Sequence, residues 1–544
     1  MFSLLSSIAL TNIIYLILGK LFSKKKINNL KNFSEIAING FIYLSFIALL
    51  VNFFYPLNVK INTLICIIIF FFFFLKKKLL NQKEFIILIL ISLFGFFFII
   101  FDTIYRPDAG LYHLPFTKIL NNEKIIFGLA NLHSRFGHIS IIQYSSAINN
   151  NFILGNVGII IPLLSIYSFL TFYFLGDILN FLFRKKKINI NYYSIFFSSL
   201  VVLYIAWKIN RYGEFGNDAI GHLLFFYLIS KLINYKKVNY QNFNKIYLIS
   251  VFAVLNKFML VFSLIIPAYV FFKDKFSIKR VIFSLPTIFI FLWILRNIIT
   301  SSCAVYPQMK TCFTDLKWSN KKEIITLNKY SEAWAKDWPN RIDKKLSVDE
   351  YNKNFNWLYT WKENHLKKII KIILPYLIIL ILIYLYFKFR IKKKDNFNFN
   401  LYNFKLPLFV SFIGLTFFFL KFPLYRYGFS YLISFLILSL TYFIKFYDYN
   451  KIKKVSIFVI FIFFMSLTFK QIDRYAQFYE TRNLVPKIYN DKKQHRTIKL
   501  NDEGDFFNLS LNGSCMYDAS LCAITNNNQF TLSKKYSYKF LNIK

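Results

Sequence analysis

A carboxylate placed directly after a long apolar run is the first feature of this sequence that could do chemistry. Asp108 follows Pro107, and Tyr112 and His113 come within five positions of it. Proline favours the first turn of a helix, where the helix dipole stabilises an anionic Asp. Tyr112 is one turn further on and lies on the same face. Asp108 is therefore suited to act as a general base, or alternatively to cap the helix that it begins.

Polar side chains continue beyond Asp108. The stretch 117–138 is amphipathic and predicts a helix that lies flat at an interface, and a second short helix is predicted over about 138–148. Polar and aromatic side chains of the kind found here are typical of surfaces that hold a substrate. Beside Asp108, the candidate substrate contacts in this part of the chain are Tyr112, His113, Arg135 and His138.

Three arginines elsewhere are candidates for holding a phosphate. A guanidinium group binds two phosphate oxygens at once, which a single ammonium group does not. Arg426 is the most suggestive, because Tyr425 and Tyr427 flank it. The alternative for each arginine is an interfacial side chain that extends towards water from a belt of tyrosines. The three candidates are Arg211, Arg296 and Arg426.

Lys257 interrupts the apolar run VFAVLNKFMLVF. A charge in such a run is costly unless it faces a partner, a cavity or the membrane surface. Lys257 therefore marks either a tight turn between two spans or a contact to a phosphate. Glu214 and Asp218, in the stretch RYGEFGNDAIGH, are second-choice carboxylates, and the alternative for both is a polar turn.

Four of the five cysteines form two close pairs in polar segments, Cys303 with Cys312 and Cys515 with Cys522. No histidine stands at zinc-site spacing beside either pair. Each pair is a candidate disulfide if its segment faces an oxidising compartment. Near the first pair, the stretches EAWAKDWPNR and FNWLYTW carry four Trp. These Trp either stack on sugar rings or form the core of a small subdomain and its interface anchors.

The composition indicates what must position these residues. Hydrophobic residues make up 56% of the 544 residues and charged residues only 17%, which is typical of a polytopic membrane protein. The formal net charge of +42 first suggests nucleic-acid binding. However, the basic residues stand mainly in short clusters between apolar runs, as in cytoplasmic loops that follow the positive-inside rule. Heavy use of Lys, Asn and Ile also fits an AT-rich genome, so we expect no nucleic-acid partner.

Apolar runs of spanning length, or nearly so, predict about 14 transmembrane helices; the alternative for the region 245–272 is one broken or re-entrant segment. The runs lie near 3–21, 37–56, 59–75, 85–101, 152–183, 192–208, 219–234, 245–256, 258–272, 280–297, 367–389, 405–421, 428–446 and 454–470.

The basic clusters divide this all-α chain into three parts. N-terminal transmembrane helices occupy residues 1–84, and a membrane core occupies 85–470, with external loops at 102–151 and 297–366. The remaining segment, 471–544, alternates apolar residues with Ser and Thr and predicts a small external cap that contains strands.

The segment around Asp108 resembles the GT-C superfamily of membrane glycosyltransferases, in the branch of protein mannosyltransferases and the lipid A aminoarabinose transferase. It reads PDAGLY, then FGLANLHSRFGH, then ISIIQYSSAINNNFILGNVGIIIPLLS. It departs from the pattern in having one acidic residue instead of two, and Arg135–Tyr144 in place of a Pro-Pro-Leu-Tyr-Trp turn. The chain is also similar to an uncharacterised group of bacterial membrane proteins associated with surface-polysaccharide genes. The likeness rests on DAGLYHLP and GLANLHSRFG, and on the later stretch that here reads WILRNIITSSCAVYPQMKTCFTDLKW, at 293–318.

The resemblance implies a GT-C-like bundle and an inverting transfer of sugar from a polyprenyl-phosphate donor to a glycan or lipid acceptor. Asp108 would be the base, at the external face of the bacterial inner membrane, with the long loops and the C-terminus in the periplasm. No cofactor follows with certainty, and the assistance of a divalent metal stays open. The alternatives are a polymerase or ligase of lipid-linked glycans and a flippase. A flippase would favour charges within spans and two related halves.

Overall fold

The computed structural model is mostly helical. It describes residues 2–23, 25, 27–75, 80–102, 107–183, 191–209, 215–235, 238–388, 402–444, 449–481, 484–490, 495–499, 506–524 and 530–543.

The first four helices form the N-terminal part of the bundle. They are α1 (Phe2–Phe22), α2 (Leu30–Asn52), α3 (Val59–Leu75) and α4 (Gln82–Ile99). Helices α1 and α2 cross closely because glycines face the partner backbone: a Cβ atom at Gly40 would lie 1.8 Å from the carbonyl oxygen of Tyr15. Asn81 and Glu84 form a capping box at the start of α4.

The middle of the chain builds the core of the bundle. Its helices are α5 (Leu114–Asn122), α6 (Ile141–Ile148), α7 (Ile161–Leu182), α8 (Tyr192–Lys208), α9 (Asp218–Asn234), α10 (Tyr240–Asn256), α11 (Ile265–Lys273), α12 (Ile278–Ile282) and α13 (Leu285–Ser301). Helix α7 is almost entirely buried and packs against α2, α4, α8 and α9, so it is the central helix of the bundle. A 3-10 helix, Phe258–Leu264, leads directly into α11.

The later helices include a short polar group before the last spans. They are α14 (Lys321–Ala335), α15 (Val348–Asn352), α16 (Leu358–Trp361), α17 (Lys367–Lys388), α18 (Tyr402–Lys421), α19 (Tyr425–Phe443) and α20 (Tyr449–Thr481). Three of the four Trp singled out in the sequence, Trp338, Trp357 and Trp361, pack together with Tyr351 in a small core of their own.

The described part of the C-terminal segment contains five strands, β1 (His495–Lys499), β2 (Phe506–Ser510), β3 (Cys522–Ala523), β4 (Phe530–Lys535) and β5 (Tyr538–Ile543). Strand β2 pairs with β1 antiparallel and with β3 parallel, and β4 and β5 form a separate antiparallel hairpin. The alternation of apolar and polar residues in this segment therefore predicted the right kind of element.

Among the described residues, seven helices are long and apolar enough to cross a membrane, and four further apolar helices are shorter. The chain is thus a largely helical membrane protein. The seven are α1, α2, α4, α7, the continuous segment Leu358–Lys388 that comprises α16 and α17, and finally α18 and α20. Helices also lie at the other predicted spans, but the total of about 14 crossings stays a prediction.

Some predicted boundaries need correction. Helix α2 begins at Leu30 rather than at 37, because Asn29 caps it and its charged Glu35 is buried in ion pairs with Lys25 and Lys231. Helix α20 continues to Thr481, beyond the predicted 470.

The amphipathic stretch 117–138 is not one helix. Helix α5 ends at Asn122, and two 3-10 turns at Leu129–Asn131 and Ser134–Gly137 follow. The chain leaves the helical path because Phe127 pairs with the backbone of β5 through its N–H and its carbonyl group. The next residue, Gly128, has a φ of 70°, which glycine adopts without strain.

Candidate functional site

Asp108 lies at the start of the helical turn that leads into α5. A single π-helical turn, Ala109–His113, connects it to that helix. Its side chain makes no capping hydrogen bond. Instead, Asp108 Oδ2 lies 3.2 Å from Nη1 of Arg426, at the first turn of α19, and both side chains keep part of their surface exposed. The structure thus joins the predicted base to the most suggestive of the predicted phosphate ligands.

A second ion pair lies beside the first. Lys257, at the C-terminal end of α10, pairs with Asp218 at the start of α9. Its ammonium group also donates a hydrogen bond of 2.7 Å to the carbonyl oxygen of Arg426. Lys257 is buried, whereas 36% of the Asp218 side chain is exposed. We call Asp108, Asp218, Lys257 and Arg426 the charged cluster, since this hydrogen bond connects the two pairs.

Aromatic side chains cover the cations of the charged cluster. The guanidinium of Arg426 lies 5.3 Å from the ring centre of Tyr427 and 5.9 Å from that of Trp334. Arg135 lies at similar distances, 5.7 Å from Tyr112 and 5.8 Å from Trp334. Trp334 belongs to α14, so the segment 297–366 contributes directly to the site. Such contacts keep guanidinium groups in place and leave their hydrogen-bond donors available.

His113 is the most buried candidate near Asp108. Its Nδ1 lies 2.6 Å from the side-chain amide of Gln143 on α6. Burial lowers the pKa of His113 to about 4; the negative charges of Asp108 and Asp218 oppose this shift, and Arg426 and Arg135 reinforce it. The imidazole is therefore neutral at neutral pH. Burial and the adjacent Asp108 carboxylate likewise raise the pKa of Tyr112, which keeps its hydroxyl protonated.

Two predicted contacts lie outside this group of residues. Arg296 is fully buried and donates hydrogen bonds to the side chain of Asn297 and to the carbonyl oxygen of Phe136. Because the guanidinium of Arg296 has no exposed surface, its role is to stabilise the packing around it and not, as expected from the sequence, to bind a phosphate. The ring of His138 makes an edge-to-face contact with Tyr306, with 5.2 Å between the ring centres. A further predicted contact, Arg211, falls outside the described residues.

Substituting Arg296 should therefore reduce stability. In Arg296→Met, the carbonyl oxygen of Phe136 and the side chain of Asn297 lose their buried donor, which costs about 2–4 kcal/mol. We expect a clearly lower thermal midpoint for the purified protein in detergent. An unchanged midpoint would contradict this structural role and return Arg296 to the list of substrate contacts.

The C-terminal segment holds the turn that follows Asp108. The backbone N–H groups of Cys515 and Met516 both donate to the carbonyl oxygen of Gly110, each over 3.0 Å. The hydroxyl of Tyr517 donates to Asn121 of α5 over 2.8 Å. The structure pairs Cys515 with Cys522 in a disulfide and Cys303 with Cys312 in another. The first of these closes the loop that grips Gly110.

Removing that disulfide should loosen the turn that carries Asp108. For Cys515→Ser combined with Cys522→Ser, we expect a loss of about 2–3 kcal/mol and faster hydrogen exchange across residues 107–113. The matched control is Cys303→Ser with Cys312→Ser, which removes the other disulfide and leaves the bonds to Gly110 intact. Equal exchange at 107–113 in both variants would contradict this role.

A metal ion finds no evident place in this site. The described residues contain no group of three or more His, Cys, Asp or Glu side chains that could hold one. Asp108 and Asp218, the two carboxylates of the charged cluster, are each paired with a cation of the protein.

Comparison with known proteins places the chain in a family. A family model described as "Domain of unknown function (DUF8201)" matches residues 1–433. The chain belongs to this family. The matched part contains the whole charged cluster and ends before α20 and the strands. No curated protein and no solved structure matches the chain. The family description names no activity, so the likeness to GT-C enzymes stays a prediction.

Proposed function

We propose that this protein transfers a sugar from a polyprenyl-phosphate donor to a glycan or lipid acceptor of the cell envelope, with inversion at the anomeric carbon. The observation that carries the proposal is the contact between Asp108 and Arg426. It places a partly exposed carboxylate beside a partly exposed guanidinium, the two groups that the proposed reaction needs.

The proposed reaction assigns each group a task. The acceptor hydroxyl oxygen bonds to the anomeric carbon while the bond from that carbon to the phosphate oxygen breaks. Asp108 takes the hydroxyl proton, and polyprenyl phosphate leaves with the bonding electrons. Arg426, held by Tyr427 and Trp334, stabilises the negative charge that develops on the phosphate. Arg135, which also contacts the ring of Trp334, adds positive charge nearby.

The ion pair itself supports an order of events. Without substrate, an oxygen of Asp108 faces the guanidinium of Arg426 and not an acceptor hydroxyl. A donor phosphate competes for the same guanidinium and binds it through two oxygens. Donor binding would then release the Asp108 carboxylate from this contact, so that it can turn towards the acceptor hydroxyl. Lys257 and Asp218 remain paired and keep the first turn of α19 in position through the carbonyl oxygen of Arg426.

The proposed side of the membrane is the external one. The basic clusters between the apolar runs favour cytoplasmic loops at the opposite end of the spans. The disulfide Cys515–Cys522 lies next to Gly110, and disulfides persist in oxidising compartments such as the periplasm. Both observations support a periplasmic site in the bacterial inner membrane, with the long loops and the C-terminus on that side.

The test is transfer of labelled sugar from polyprenyl-phosphate donors in liposomes that contain the full-length protein. Donor lipids are extracted from cells that produce the protein after metabolic labelling, and acceptor lipids are extracted from the same cells grown without label. We expect label to move to an acceptor and to leave unlabelled polyprenyl phosphate. Movement of a whole glycan chain instead of one sugar would support the ligase or polymerase. Movement of intact donor between the leaflets, without transfer, would support the flippase.

A further inference from the structure

The capping box of α6 determines which way the side-chain amide of Gln143 points. The backbone N–H of Ser140 donates over 3.0 Å to Oε1 of Gln143, while the Ser140 hydroxyl caps the helix start in return. A backbone N–H can only donate. The atom of Gln143 that faces Ser140 is therefore the carbonyl oxygen, so the amide nitrogen must face the other way.

This orientation determines the tautomer of His113. The amide nitrogen of Gln143 carries two hydrogens and no acceptor site, and it lies 2.6 Å from Nδ1 of His113. Nδ1 must accept this hydrogen bond, so it carries no proton. The low pKa of the buried ring, about 4, means that neutral His113 places its single proton on the other nitrogen, Nε2.

The same capping box is connected to the charged cluster. The hydroxyl of Ser140 donates over 2.9 Å to Asn256, the residue before Lys257. The side chain of Asn217, which precedes Asp218, donates in turn to the carbonyl oxygen of Asn256. The element that orients His113 is thus bonded to the residues next to the second ion pair.

We infer that Gln143 holds His113 as the neutral Nε2–H tautomer, and that this N–H is a hydrogen-bond donor to an oxygen of the bound sugar donor. The part concerning the substrate rests on the proposed function, whereas the tautomer does not. His113 would then be a binding residue and Gln143 a positioning residue. Neutral His113 in this tautomer has no free nitrogen to compete with Asp108 for the proton of the acceptor hydroxyl. An imidazolium would add a positive charge near both ion pairs.

The variant that tests this is Gln143→Glu. Glutamate also completes a capping box with Ser140, so α6 should stay intact. Its second oxygen can only accept, so Nδ1 of His113 must now carry a proton. Above the pKa of His113 in the variant, the neutral ring then has no proton on Nε2. Below that pKa, which the carboxylate of Glu raises, the doubly protonated ring regains the Nε2–H.

Two measurements follow on the full-length protein. Nitrogen NMR of labelled imidazoles, with His113→Gln to assign the signal, should show an unprotonated Nδ1 in the native protein and a protonated one in Gln143→Glu. Transfer by Gln143→Glu at pH 8 should fall by about tenfold to a hundredfold, through loss of one hydrogen bond to a charged substrate. The ratio of variant to native transfer should rise as the pH falls, because the doubly protonated ring of the variant regains its Nε2–H. The charges near the ring, on Asp108, Asp218, Arg135 and Arg426, are common to both proteins and therefore do not cause this rise.

Replacing His113 itself provides a second test. The amide nitrogen of Gln reaches the position of Nε2, and that of Asn reaches the position of Nδ1, so His113→Gln should retain more transfer than His113→Asn. A protonated Nδ1 in the native protein would overturn the tautomer. Native-like transfer by Gln143→Glu at pH 8, with Asp108→Asn inactive, would overturn the role of His113 alone. Absence of transfer by the native protein would overturn the proposed function and leave the tautomer assignment standing.

Discussion

Asp108→Asn should reduce the rate of sugar transfer by about 10³-fold, within the range of 10² to 10⁴ that a general base contributes. The amide keeps the size of the carboxylate but cannot accept the acceptor proton. Because 40% of the Asp108 side chain is exposed, the change should leave the fold intact. The measurement is single-turnover transfer of labelled sugar in liposomes, at a donor concentration well above the dissociation constant of the donor.

The matched control for Asp108 is Asp218→Asn, since both carboxylates are partly exposed and paired with a cation. Asp218 has no direct task in the proposed reaction, and its loss should act mainly through the position of Lys257. We expect a decrease of about tenfold or less. Native transfer by Asp108→Asn, or a larger loss in Asp218→Asn, would contradict the assignment and make Asp218 the better candidate for the base.

Arg426→Lys should be almost as damaging, with a loss of about 10²-fold in transfer. Lysine keeps the positive charge, but it cannot bind two phosphate oxygens in one plane. It also lacks the flat guanidinium that contacts the rings of Trp334 and Tyr427. The loss should appear in the rate at saturating donor as well as in donor affinity, because the phosphate gains charge as its bond breaks. Steady-state kinetics over a range of donor concentrations separates the two effects.

Lys421→Gln provides the control for removing a nearby cation. Lys421 ends α18, its side chain is 49% exposed, and it pairs with Glu332 rather than with the charged cluster. Its replacement should change transfer less than about twofold. Equal effects of Arg426→Lys and Lys421→Gln would show that only the local net charge matters, which would contradict a specific phosphate contact at Arg426.

The sequence was most informative where one physical requirement dominates. Each apolar run can be recognised from the local sequence alone, and the structure has helices at every predicted span. The start of α2 was missed because Glu35 interrupts the apolar pattern, and only the fold shows that Lys25 and Lys231 neutralise it. The path of the chain after α5 was missed for a similar reason. Phe127 pairs with a strand more than 400 residues further on, and no local pattern encodes that contact.

The candidate site divides in the same way. Asp108 and Arg426 were recognisable because each is a charged residue at the end of an apolar run, yet 318 residues separate them and only the fold brings them together. Arg296 fits the same pattern and lies buried in the core, so the pattern alone does not separate a substrate ligand from a structural arginine. Gln143 carries no charge, and its importance follows only from the partners of its two amide atoms.

A double-mutant cycle on Asp108→Asn and Arg426→Gln tests most directly whether these two residues form one active site. Single-turnover transfer of labelled sugar is measured for the native protein, both single variants and the double variant. If the two side chains act in the same step, the double variant should be little slower than Asp108→Asn alone, at about 10³-fold below the native rate. Losses that multiply, to about 10⁵-fold, or transfer that neither change affects, would contradict a single site built by this pair.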